Sequence, residues 1–134
     1  MHIGQAQKEL TVNEALARTD ALLHIAIEGT ATSPPATPTN GEAWMVGASA
    51  TGIWAGHDGQ IACRQAGNWL YIQPRDGLRV LDRSTGQDRR YAGSWQIATS
   101  PVEPSGGSTV DTQARAAIGS IIAALRTAGV LPGA

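Results

Sequence analysis

The chain has 134 residues, the size of one ordinary domain. Ten Lys and Arg stand against eleven Asp and Glu, so the net charge is -1, and the basic excess that a sequence-independent nucleic-acid binder needs is lacking. A single Cys excludes an internal disulfide framework and a Cys-based metal cluster.

The start, Met1-His2-Ile3-Gly4-Gln5, lacks the basic and then apolar pattern of a signal peptide. Val12, Ala15, Leu16, Leu22, Leu23 and Ala26 then draw one apolar stripe at helical spacing. Thr11-Val12-Asn13-Glu14 reads as a capping box, and Glu14 with Arg18 is a favourable i,i+4 pair. These features predict a helix over Val12–His24, with a strand beginning in the alternating run that follows. Residues 29–41 form a connector, because Pro34, Pro35 and Pro38 exclude a helix interior or a central strand. Asn40-Gly41 marks a turn before a short apolar strand at Ala43–Val46.

The middle of the chain, residues 41–98, reads as β-rich. Gly52-Ile53-Trp54, Gly67-Asn68-Trp69 and Gly93-Ser94-Trp95 repeat one pattern. Gly supplies the turn and Trp enters the returning strand. The expected product is a small antiparallel sheet of about five strands. A bulge or one helical turn is expected at Ala55–Asp58. Residues 99–108 are a linker rich in Pro, Ser and Gly. Ser108-Thr109-Val110-Asp111 is a second capping box, predicting a helix over Thr109–Ala128 that Gly129 closes in the left-handed conformation. Its apolar stripe is Ala114, Ile118, Ile121, Ile122 and Leu125. The remaining faces are Ala, Gly and Ser, with Arg115 and Arg126 the charges after Asp111. A solvent-facing helix normally carries more charge, so this one is expected to serve as an oligomerisation element. Its longest uncharged run, Ala116–Leu125, is half of what a membrane span requires, and no membrane insertion is expected. The fold class is therefore α+β: a small antiparallel sheet flanked by an N-terminal and a C-terminal helix. Residues 1–98 form the main domain and residues 109–134 the C-terminal helix.

Charge is uneven along this order. Residues 1–43 carry a net -3, and residues 64–90, with six Arg, carry +3. Solvated turns and strand faces explain this, and so does an acidic terminal region docking on a basic middle in the same or a neighbouring subunit.

Catalytic patterns are not found. His2, His24 and His57 are scattered, no nucleophile elbow or phosphate loop occurs, and Cys63 reads as a small buried hydrophobe. Asp76, Asp82 and Asp88 recur at six-residue steps, each beside a turn residue or an Arg, and read as turn caps. No catalytic residue, metal or cofactor is expected.

Three motifs lie in order along the chain. They are Gln5–Arg18 with its Gln-Lys-Glu-Leu core, Ala50–Ala62 containing Gly52-Ile53-Trp54-Ala55-Gly56-His57-Asp58-Gly59, and Trp69 with Pro74-Arg75-Asp76-Gly77. Together with Pro34-Pro35 they resemble a phage-related domain of unknown function. That domain is frequent in tail genes of proteobacterial prophages and alphaproteobacterial gene transfer agents. The resemblance covers about residues 5–97, and Val110–Leu131 resembles the helical tail that ends many short phage tail proteins. Asp82–Arg90 departs from the family's aromatic-rich continuation, being polar and Arg-rich.

The resemblance implies a virion component of the tail tip, tail fibre or an adaptor, assembled in the bacterial cytoplasm beside other tail proteins. Closed rotational symmetry in such particles makes a homotrimer the favoured assembly, with a monomer whose C-terminal helix lies in a groove of its own sheet as the alternative. A second functional class is a glycan or receptor-binding module for host surface polysaccharide. For it, an exposed Trp54 with His57 and Asp58 supplies the candidate contacts, and Trp69 is expected in the core. Without Phe, all four Trp can equally be core residues.

Overall fold

The chain forms α1 (Ile3–Leu23), β1 (Ala26–Ile27), β2 (Thr30–Ala31), β3 (Ala43–Val46), β4 (Ile61–Gln65), β5 (Asn68–Ile72), β6 (Arg79–Asp82), β7 (Gln87–Ala92), β8 (Ser94–Gln96) and α2 (Thr112–Thr127). A 3-10 turn at Gly52–Trp54 lies between β3 and β4. The structure is a computed structural model that describes the backbone of residues 3–132 and the side chains of residues 8–132. Met1, His2, Gly133 and Ala134, which sequence reasoning placed at the two ends of the domain plan, lie outside the described residues.

The α+β class is as expected, but the strands build two four-stranded sheets rather than one. Their orders are β1-β6-β7-β8 and β2-β3-β4-β5. Each contains one parallel pair, β1 with β6 and β2 with β3, so both sheets are mixed. The reason lies in residues 25–31, one extended segment that serves both. On one side Leu81 N donates to Ile25 O and Arg83 N to Ile27 O. On the other, Glu28 N donates to Ala43 O and Met45 N to Gly29 O. Gly29 is buried at this crossing, with Ser84 and the Trp44 ring beside its Cα. A two-residue parallel strand needs no hairpin turn, so no turn residue announces it.

Side-chain alternation then sets the core. Ala43, Met45, Ile61, Cys63 and Ile72 point from the second sheet toward Ile27 and Val80 of the first, with Leu70, Leu78, Ile25 and Trp95 closing the margins. The opposite face of the second sheet carries Val46 and Ala62, packed with Trp44, Trp69, Tyr71 and Trp54 from the loop between β3 and β4. Trp95 Nε1 donates to Gly59 O at 2.9 Å and ties the first sheet to that loop.

The polar stretch that departs from the family pattern is β6, its turn and β7. Asp82 and Gln87 are buried there, and Arg89 forms an ion pair with Asp82 inside the molecule. Arg89 Nη1 also donates to Thr30 Oγ1 at 3.1 Å, joining the two sheets. Asp82 Oδ1 accepts from Ser84 N at 2.9 Å, so its turn-capping role is present beside the ion pair. Asp76 accepts from Gly93 N at 2.7 Å. Asp88 is exposed.

Both helices differ from expectation in their boundaries. α1 begins at Ile3, so Thr11 and Glu14 lie mid-helix and the expected capping box does not start it. Gln5-Ala6-Gln7-Lys8-Glu9-Leu10 are good helix formers and carry the helix through. The Glu14–Arg18 pair forms at 2.8 Å. The expected apolar stripe does not face the core. Ala17 and Ala21 are the half-buried positions between Lys8 and Leu23, whereas Val12, Leu16, Leu22 and Leu23 are exposed. α2 begins at Thr112, with Asp111 rather than Ser108 as its N-cap, its carboxylate accepting from Ala114 N at 2.9 Å. Gly129 (φ +70°) closes it as expected, with Gly129 N donating to Arg126 O and Val130 N to Leu125 O, a Schellman ending.

Candidate functional site

Two surfaces follow from sequence reasoning, the loop around Trp54 and the outer side of α2. The loop begins where β3 ends. Val46 N donates to Gln60 O and Gly59 N donates to Val46 O, which pins its two ends together. Between them the 3-10 turn directs Trp54 inward. Trp54 is 0% exposed and meets Trp69 edge to face, with ring centroids 5.0 Å apart and planes at 84°. The expectation of an exposed Trp54 is therefore corrected. Gly52-Ile53-Trp54 repeats the sequence pattern of the two hairpins but is followed by Ala55-Gly56-His57-Asp58-Gly59, which offers no strand for the Trp to enter. The one helical turn anticipated at Ala55–Asp58 occurs three residues earlier.

His57 and Asp58 are also engaged within the loop. The His57 ring stacks on Tyr71 at 3.5 Å and 2°, and its Nδ1 lies 3.0 Å from Gln60 Oε1. The Asp58 carboxylate accepts from Ser49 N at 2.8 Å and Ala50 N at 3.1 Å. Tyr71 Oη donates to Ile53 O at 2.8 Å, and burial raises the phenol's pKa. Trp69, expected in the core, is half-buried, with the Arg64 guanidinium 5.3 Å from its ring centroid. So Trp54, His57 and Asp58 do come together, as parts of a cap over the outer face of the second sheet. Tyr71 and Trp69, on alternate positions of β5, are the partners that sequence reasoning did not assign to this cap. The alternation Trp69-Leu70-Tyr71-Ile72 was the available signal.

Cys63 is buried in the core, and burial pushes its thiol up to about 11, so it is a neutral thiol near pH 7. Among the described residues no group of three or more His, Cys, Asp or Glu is arranged to hold a metal ion.

The second surface is α2. Its inward side is Arg115, Gly119, Ile122 and Arg126, spaced i, i+4, i+7, i+11. Ile122 is 2% exposed there, and Arg115 donates to Gly106 O and holds the preceding coil. The flanking stripe, one residue earlier on each turn and so about 100° around the helix, is Ala114, Ile118, Ile121 and Leu125, again at i, i+4, i+7, i+11, and all four are exposed. Ile121 is 59% exposed. The five apolar residues expected to act together are thus divided. One docks the helix on its own chain and four face outward. The chain end is fixed by Asp88 N donating to Gly129 O at 2.7 Å, with Leu131 buried. No helix among the described residues is long and apolar enough to cross a membrane.

The geometry describes a self-capped, two-sheet β module carrying two helices with apolar outer stripes. Residues 12–96 match the family described as "Protein of unknown function (DUF2793)", and the chain belongs to that family. No curated protein matches the chain.

Proposed function

We propose that the protein is a non-enzymatic structural subunit of a phage or phage-like particle, at a tail tip, the base of a tail fibre or an adaptor. In this reading it assembles as a homotrimer through its helices and then contacts other tail proteins. The phage context rests on the sequence resemblance of residues 5–97. The observation that carries the assembly reading is the exposed stripe Ala114, Ile118, Ile121 and Leu125 on a helix whose neighbouring side is already docked. A second apolar set, Val12, Leu16 and Leu23, is exposed on one side of α1. Soluble monomers rarely leave two such stripes in water, and rotational symmetry covers every copy's stripe at once. The glycan alternative at Trp54, His57 and Asp58 loses its main support, since the Trp face is buried and the two polar groups are engaged.

Two measurements test the reading. Light scattering on the purified chain should give a trimer, and Ile121→Asp should lower the mass to one chain while leaving the circular dichroism spectrum unchanged. Immunogold labelling of particles induced from the source strain should mark the tail. Label on the head alone, or none on the particles, would overturn the tail assignment.

A further inference from the structure

The outer face of the first sheet holds an unexplained charge arrangement. Arg79 of β6 stands directly opposite Arg90 of β7 in the antiparallel register. Like charges placed so are destabilising unless something anionic lies between them. Both side chains are exposed, and neither guanidinium has a hydrogen-bond or ion-pair partner among the described residues. Three nearby arginines are engaged: Arg64 lies over Trp69, Arg83 pairs with Glu28, and Arg89 pairs with Asp82, whereas Arg75, in the turn before β6, is exposed but has no second Arg opposite it.

The two arginines open into a cleft of about 290 Å³, close to the lower bound of ~300 Å³ for ligand pockets. Asp88 and Gln96 add polar groups, and Ile97 and Val130 form apolar walls. The walls come from distant parts of the chain and one buried side chain holds them in place. Gln87 Nε2 donates to Ala98 O at 2.9 Å and to Val130 O at 3.3 Å. Gln87 is 1% exposed, and its neighbour Asp88 bonds Gly129 through the backbone. The cleft is thus built by the fold and is not a gap between mobile arms.

The geometry points to this cleft as a binding site for a carboxylated sugar. Two guanidinium forks match one carboxylate. With Asp88 the cleft carries a net single positive charge, which matches a monoanion and leaves one charge of a dianion such as sulfate unpaired. Asp88 and Gln96 can bond ring hydroxyls, and Ile97 with Val130 can cover the apolar face of a sugar ring. The site goes beyond the assembly reading and shares no residue with the Ile118, Ile121 and Leu125 stripe.

The test is calorimetric titration of the full chain with glucuronate, glucose and inorganic sulfate. Glucuronate should bind, with glucose and sulfate each weaker by ~10-fold or more, the effect of losing one or more charge-assisted hydrogen bonds. Arg79→Ala and Arg90→Ala should each weaken glucuronate by ~10-fold or more, and Arg75→Ala, outside the cleft, should not. Asp88→Asn, which removes a negative charge beside the guanidinium pair and keeps an acceptor for a ring hydroxyl, should strengthen sulfate more than glucuronate. Urea midpoints of the arginine variants should hold or rise, since a like-charge opposition is removed; Arg79→Gln replaces the alanine variant if it unfolds. Equal binding of glucose and glucuronate, unchanged glucuronate affinity in folded arginine variants, tighter binding of sulfate, or no glucuronate binding at millimolar concentration would each overturn the assignment.

Discussion

Trp54→Ala is the perturbation that separates a core Trp54 from a surface one. Its ring is fully buried between the second sheet and the loop, and it meets Trp69 edge to face. Truncating a fully buried Trp to Ala costs ~3–5 kcal/mol, from lost transfer energy and the cavity left behind. Trp69 is half-buried, so only about half of that burial is lost in Trp69→Ala, or ~2 kcal/mol. The pair adds ~0.5–1.5 kcal/mol of its own, which the double variant should show as non-additivity. The assay is urea unfolding followed by far-UV circular dichroism, because both substitutions remove a fluorophore. With a slope of ~2 kcal/mol/M the Trp54→Ala midpoint should fall by ~2 M, against ~1 M for Trp69→Ala. A loss in Trp54→Ala no greater than that in Trp69→Ala would refute the reasoning and return Trp54 to the surface.

Further outcomes follow from other buried groups. Arg89→Met leaves the Asp82 carboxylate buried without its ion-pair partner and should cost ~3–5 kcal/mol in the same unfolding assay. Cys63 keeps its proton in the folded state up to about pH 11, whereas the unfolded thiol ionises near 9.0. The folded state therefore binds more protons in that window, its contribution is whole below pH 9 and is lost as pH rises toward 11, and the loss reaches ~2–3 kcal/mol. Cys63→Ala should lose less stability than wild type between about pH 8 and about pH 10.5, measured by urea midpoints. Ile122→Asp places a charge in the docked side of α2 and should detach the helix, visible as faster amide exchange over residues 112–127, whereas Ile121→Asp should speed exchange there less, because the helix stays docked on its own chain.

Several elements were legible because local chemistry decides them. β3 was readable as a short apolar run behind Asn40-Gly41, β5 and β8 as the returning strands of Gly-x-Trp turns, and the α2 ending from Gly129. The two-sheet division was not legible, since it depends on residues 25–31 finding β6 and β3, partners far along the chain. The first Gly-x-Trp, Gly52-Ile53-Trp54, misled for the same kind of reason. Its local pattern matches the hairpins, yet the covered face of Val46 and Ala62 draws the Trp ring inward. In both helices the apolar spacing was real but its direction was not readable. In α1 the small residues Ala17 and Ala21 are the half-buried ones and the larger side chains stay outside, and in α2 Ile122 alone of the apolar stripe is buried. The cleft at Arg79 and Arg90 was hidden because only strand register places those two residues opposite each other.

The central claim is that the outward stripe of α2 is an interface between copies of this chain. Light scattering of the wild-type protein at micromolar concentration tests it most directly. The account predicts about three times the 13.9 kDa chain mass, falling to one chain in Ile121→Asp; a wild-type mass of one 13.9 kDa chain would contradict it.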